Sequence, residues 1–281
     1  MPTTKTRRPA TIHPLIECVI FDLDDTLYDC FGQRVRLTHR FAAAAMVKAG
    51  IRADAAAVYR ARMKAFRDDP TLRHIDEIVC RRFGRNQKQD KERISEAARD
   101  AYFNCPVGKL TLFRGSRPLI HFLRKRGVRI FVVTFGEPKI QRAKVRALGL
   151  EDEPAIEAIY YADRAKAMTK DVALRQIQEK TGLAPGHILV VGDRPLSEIR
   201  AGKSLRMHTV RLKRGEFRAQ EPAGPEETAD YEVRTISEVR GLPYLFGGKK
   251  LSREFTRMNA NKNKNLETQR KRRTKGFKFQ I

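Results

Sequence analysis

Phe21-Asp22-Leu23-Asp24-Asp25-Thr26-Leu27-Tyr28-Asp29 follows directly on the apolar run Cys18-Val19-Ile20. The run reads as a short buried strand ending at Asp22. Carboxylates crowded at a strand end repel one another, so the cluster is costly to build. Such clusters serve to hold a hard cation or to do acid–base work. Asp22 and Asp24 are two residues apart and Thr26 repeats the phase with a hydroxyl, so on continuing strand geometry they point the same way. Asp25 and Asp29 read as solvated or loop-stabilising residues, Tyr28 as a packing aromatic and Cys30 as a buried thiol.

Outward from this stretch, helical periodicity dominates from about Phe31 to Cys105. Val35, Leu37, Phe41, Ala45 and Met46 outline one apolar face, and Val58, Met63 and Phe66 a second. Leu72, Ile75, Ile78 and Val79 outline a third, and Ile94, Ala97, Ala98 and Tyr102 a fourth. Asp54 and Asp90 are candidate N-caps, Gly50 and Gly84 candidate C-caps. Beyond this bundle of about 75 residues, strands and helices alternate. A helix from Arg117 to Gly127 precedes the strand Val128–Val133, and a helix near Pro138–Leu148 precedes the run Ala155–Tyr161. A helix over Lys170–Thr181, closed by Gly182, precedes the strand Ile188–Val191. A helix near Ser197–Ser204 leads to the last expected strand, His208–Leu212. Continuous apolar strands alternating with helices imply an α/β fold with a parallel sheet covered on both faces. Ligands of such sheets bind at the carboxyl ends of the strands, where strand order switches.

Four patches carry the chemistry, each beside a strand end or the helix leading to one: Asp22-x-Asp24-x-Thr26, then Thr134-Phe135-Gly136, then Lys170, then Gly192-Asp193 with Glu198 beyond. At Thr134 a glycine-relaxed turn into a helix is expected to offer backbone N–H groups to an anion. In order and spacing the four resemble the motifs of the haloacid dehalogenase-like (HAD) hydrolases over about residues 15–215. Val190-Val191-Gly192-Asp193-Arg194 with Glu198-Ile199-Arg200-Ala201-Gly202 extends the likeness, as does Arg211-Leu212-x-Arg214-Gly215. The helical insertion lies where the family places its C1-type cap, and the 36 residues from Thr134 to Lys170 leave no room for a cap at the other position.

The resemblance implies a Rossmann-like doubly wound core with an inserted α-helical cap, of phosphatase type. The chain then divides into an arm at 1–14, a core at 15–30 and 109–246, the cap at 31–108, and a basic tail at 247–281. Asp22 is the implied nucleophile, forming an aspartyl-phosphate. Asp24 is the implied acid–base partner. Thr26, Thr134, Phe135, Gly136 and Lys170 are the implied phosphate-binding set. We favour Lys170 over Lys166 because its distance to Gly192-Asp193 fits the shorter-spaced members. Mg²⁺ is the implied cofactor, held by Asp22, the backbone carbonyl of Asp24 and Asp193, with Glu198 acting through water where the family commonly has Asp. A halide leaving group needs no proton and an alkoxide does, so an acid at Asp24 favours phosphate esters of small metabolites over dehalogenation.

Composition bounds the alternatives. At 281 residues and 41% apolar content the chain can bury a real core. No apolar run approaches the ~20 residues of a membrane helix, and no long apolar segment follows the basic N-terminus, so a secretory signal is not supported. Cys18, Cys30, Cys80 and Cys105 show no paired spacing and read as reduced thiols, which favours a cytoplasmic protein. The formal net charge is +25 and the pI about 10.4. Residues 247–281 carry a net +10 of this, too polar a stretch to bury a core and expected to be disordered. A basic segment over 249–278 can bind nucleic acid non-specifically. That leaves two other readings, a nucleotide or nucleic-acid-end phosphatase and a nucleic-acid-binding protein on a hydrolase scaffold.

Overall fold

Alternate residues of the first strand enter two separate cores. Val19 and Phe21 join a cluster with Val132, Leu189, Val191 and Val210. Cys18 and Ile20 join another with Phe131, Val133, Ile188 and Val190. This two-residue period, apolar on both faces, is what a strand covered by helices on either side requires. The computed structural model describes residues 16–69, 74–83, 88–163 and 168–242; the expected arm and tail, Leu72, Gly84 and Lys166 lie outside the described residues.

Six strands form one parallel sheet: β1 (Cys18–Phe21), β2 (Arg129–Phe135), β3 (Ala158–Ala162), β4 (Ile188–Gly192), β5 (His208–Leu212) and β6 (Tyr231–Val233). Their spatial order is β3-β2-β1-β4-β5-β6. The chain builds outward from β1 to one side, then crosses and builds to the other. The switch point therefore lies at β1, flanked by β2 and β4. Strand β6 was not expected. It has three residues, Glu232 among them, too short and too polar for an apolar run to reveal it. Asp22 leaves β1 still donating its N–H to Val191 O at 2.9 Å, so the acidic loop begins on the sheet.

Between β1 and β2 lie a π-helical turn at Phe31–Val35 and the helices α1 (Arg36–Lys48), α2 (Ala55–Asp68), α3 (Ile75–Phe83) and α4 (Lys88–Phe103). They have their own core, including Ala42, Met46, Val58, Val79, Ile94 and Ala98. Asp54 caps α2, accepting from Ala57 N at 2.8 Å. Asp90 does not cap α4. The helix starts two residues earlier, and Asp90 instead faces Arg93 within the first turn. Of the inward face expected of α1, Val35 and Met46 are buried, Leu37 and Ala45 half-buried and Phe41 exposed; Thr38, His39, Ala42 and Ala43 are buried as well.

The remaining helices cover the sheet: α5 (Ser116–Arg124), α6 (Pro138–Ala147), α7 (Lys170–Thr181) and α8 (Arg200–Ser204). A π-helical turn at Pro195–Ile199 precedes α8 where one continuous helix was expected. Helix α7 has the expected bounds and closes on Gly182 in the left-handed conformation. Ser116, at the start of α5, donates to Leu27 O at 2.7 Å and fastens the acidic loop to the core.

Candidate active site

Asp22, Asp24 and Asp193 line one cavity of about 290 Å³ at the carboxyl ends of β1 and β4. Phe135 and Lys170 reach it from the end of β2 and the start of α7, and Phe66 and Tyr102 close it from the helical segment. The carboxylates of Asp22, Asp193 and Glu198 come within 4.8 Å of one another, and all three are buried. Glu198 reaches the cluster because residue 192 is glycine. A Cβ there would lie 2.5 Å from Glu198 Cγ, so any side chain at 192 would expel Glu198.

Three buried carboxylates need a counter-charge. Lys170 Nζ supplies part of it, 2.5 Å from Asp22 Oδ1 and also bonded to Glu198. Burial nonetheless pushes the Asp22 carboxyl above its ordinary range, against the pull of Lys170. Burial, and then the Asp22 charge, push Asp193 well up. Asp193 Oδ1 has no hydrogen-bond partner. A buried, unpartnered carboxylate oxygen beside two further carboxylates and one ammonium is an unbalanced set. An oxygen-seeking divalent cation fits it.

Asp24 lies in different surroundings. Lys144 Nζ contacts both of its oxygens, at 3.0 and 2.8 Å. Tyr28 donates to Oδ1 at 2.8 Å and Gln141 Nε2 to Oδ2 at 3.3 Å. Burial alone would raise this carboxyl, but Lys144 and its hydrogen bonds hold it below the usual range. Lys144 is only 5% exposed, and the Asp24 charge raises its pKa despite burial. The two acids of the loop are thus driven apart, Asp22 upward and Asp24 downward.

The other expected site residues are placed as follows. Thr134 is buried and donates through Oγ1 to Gln141 Oε1 at 3.1 Å. The Gly136 N–H, expected to face an anion, instead donates to Ala162 O at 3.1 Å, because it extends the pairing with β3. Gly136 has φ +146°, which a side chain would strain. Thr26 is wholly buried beneath the loop, its Oγ1 without a partner, and does not line the cavity. Asp25, expected to be solvated or loop-stabilising, is buried and accepts from Phe31 N at 3.0 Å; burial takes its pKa up to about 6. Tyr28, expected only to pack, also orients Asp24.

Sequence reasoning missed Gln141 and Lys144. They stand one turn apart on α6, on the same inward face as Val145 and Leu148. Polar residues on the inward face of an amphipathic helix were the available signal. Arg194 and Glu216 also line the cavity. Glu216 is raised to about 7 by burial and by Asp25.

The sequence profile of the haloacid dehalogenase-like hydrolases matches residues 16–206. The chain belongs to this family. A protein of Methanopyrus kandleri named glyceraldehyde 3-phosphate phosphatase is 27% identical over 80% of this chain and 96% of its own length. A Methanocaldococcus jannaschii protein of the same name is 25% identical over the same shares. Among solved structures, CbbY from Rhodobacter sphaeroides in complex with phosphate has the same fold. Its TM-score is 0.54 at 22% identity, covering 82% of this chain and 99% of CbbY. No helix of the described residues is long and apolar enough to cross a membrane.

Proposed function

We propose that the chain is a Mg²⁺-dependent phosphatase that hydrolyses phosphate monoesters of small metabolites. The observation that carries this reading is the convergence of Asp22, Asp193, Glu198 and Lys170 at the switch point, with a second acid, Asp24, paired separately to Lys144. Relatives named glyceraldehyde 3-phosphate phosphatase support it. A cavity of about 290 Å³ also suits a short phosphorylated chain, since ligand pockets run from roughly 300 to 1,000 Å³.

In this reading the Asp22 carboxylate attacks phosphorus and the ester P–O bond breaks, leaving an aspartyl-phosphate on Asp22. Asp24 relays to the leaving oxygen a proton it shares with the Lys144 ammonium, which leaves the Asp24–Lys144 pair one proton short. Asp24 then recovers that proton from water. The resulting hydroxide attacks phosphorus, releasing inorganic phosphate and regenerating Asp22. Lys170 neutralises phosphoryl oxygens, and Thr134, which does not line the cavity but is bonded to Gln141, which does, would reach them by exchanging that bond for one to phosphate. Asp22, Asp193, the Asp24 backbone carbonyl and Glu198 would hold Mg²⁺, which supplies charge neutralisation between nucleophile and phosphate. The helices between β1 and β2 act as the cap, placing Phe66 and Tyr102 over the reacting group.

p-Nitrophenyl phosphate hydrolysis with and without Mg²⁺ tests this. Turnover is expected only with metal, and Asp22→Asn is expected to lower kcat about a thousandfold or more. Metal-independent turnover, or an Asp22→Asn enzyme as active as the wild type, refutes it.

A further inference from the structure

The cations of the cavity are engaged, with one exception. Lys170 is bound to Asp22 and Glu198, and Lys144 to Asp24. Arg34 is spent on the backbone oxygens of Cys105 and Pro106, both at 2.7 Å. Arg194 stands apart. Among the described residues no carboxylate closes an ion pair on it, and its buried Nε has no hydrogen-bond partner. Its guanidinium lies 4.0 Å from the centroid of the Phe217 ring. That stacking fixes the plane of the group, and among the described residues no acceptor meets its donor edge.

Arg194 also occupies a particular place. A second cavity of about 520 Å³ lies alongside the first, and Phe135, Lys170 and Arg194 line both. Asp171, Ser197, Arg200 and Ser204 are among the residues of its remaining wall. A molecule whose phosphoryl group sits at Asp22 and Lys170 therefore meets Arg194 next. The guanidinium fork matches a carboxylate or a phosphate with two parallel hydrogen bonds.

We propose that Arg194 anchors a second anionic group of the substrate, so that the preferred esters carry a carboxylate or a second phosphate on the same short chain as the phosphoryl group that is hydrolysed. This rests on the phosphatase reading and narrows it. Glu216 and Asp193 are the acids of the same cavity on which the Arg194 charge draws, and Glu216 is the one outside the carboxylate cluster. An incoming anion displaces that influence.

The test compares kcat/KM for 3-phosphoglycerate and glyceraldehyde 3-phosphate, which share a skeleton and differ in carboxylate against aldehyde. A parallel pair, propanediol bisphosphate against the monophosphate, separates a second phosphate from a carboxylate. Wild-type enzyme is expected to favour the more anionic member of at least one pair by about tenfold or more. Arg194→Met is expected to lower that ratio about ten- to hundredfold, the worth of one charged hydrogen-bonding contact. Arg194→Lys should keep part of it, and Glu216→Gln should increase it. A wild-type ratio near one in both pairs overturns the inference even if a variant fails to fold, as does an Arg194→Met ratio equal to that of the wild type. Absence of Mg²⁺-dependent turnover of any ester overturns the phosphatase reading itself.

Discussion

Asp24 accepts from Lys144, Tyr28 and Gln141 while Asp22, two residues away, is bound through Lys170. Two neighbouring carboxylates on one loop thus acquire opposite tendencies from their partners, not from their own chemistry. Asp24 stays ionised because an ammonium buried with it spans both of its oxygens. Removing that ammonium leaves the carboxylate partly buried and uncompensated, which costs far more than the pair contributes. Lys144→Met is therefore expected to lower kcat by about a hundredfold, with a smaller change in KM, because in the proposed mechanism the pair acts on the proton and not on the phosphoryl group. Lys144→Arg should restore part of the rate. Steady-state kinetics on one ester decides it, and an effect confined to KM would assign Lys144 to substrate binding instead.

At the scale of the element, His39 shows how the helical segment is locked. It is 1% exposed on α1, its ring 5.0 Å from Phe66 of α2 and 5.4 Å from Tyr102 of α4. Its Nδ1 has no partner, and burial, with the Arg62 charge, lowers its pKa from 6.5 to about 3. The folded chain refuses a proton that the unfolded chain accepts between those values. Stability is complete above pH 6.5 and falls as the pH drops toward 3. At pH 5 the loss is about 2 kcal/mol. Urea midpoints at pH 8 and pH 5 should differ less in His39→Leu than in the wild type, and equal differences would refute the assignment. His39 also shows what the sequence hides. Parallel strands bury both faces, so β1, β2 and β4 were legible as apolar runs. On helix α1 the apolar pattern places Phe41 inward, where it is exposed, and passes over the polar Thr38 and His39, which are buried. Gln141 and Lys144 were overlooked on α6 for the same reason. A polar residue's inward orientation is set by a partner more than a hundred positions away, and no local pattern records it.

For the whole molecule, the switch point at β1 explains why residues as distant in sequence as Asp22, Lys170 and Asp193 meet, and why the strand-end motifs point to the candidate cavity that Asp22, Asp24, Phe135, Lys170 and Asp193 line. Charge follows a different logic. The cavity is lined by six acids and four basic residues, whereas the chain as a whole carries +25, of which +10 falls in residues 247–281. A positive field over the surface raises the local concentration of an anionic ester and speeds its arrival, and salt screens that field over about 10 Å at 0.1 M. Such steering acts on encounter and not on chemistry. With a phosphorylated substrate, kcat/KM should therefore fall several-fold between about 0.02 and 0.2 M NaCl, while kcat stays nearly constant. A chain ending at Phe246 loses the +10 and should show a shallower salt dependence. The same deletion separates steering from polyanion binding. If the tail engages about six phosphates, the full chain should leave heparin or an oligonucleotide with a log–log salt slope near −5, and the shortened chain should elute at markedly lower salt. Retention unchanged by the deletion would refute a binding role for residues 247–281 and leave the remaining basic surface as the source of attraction.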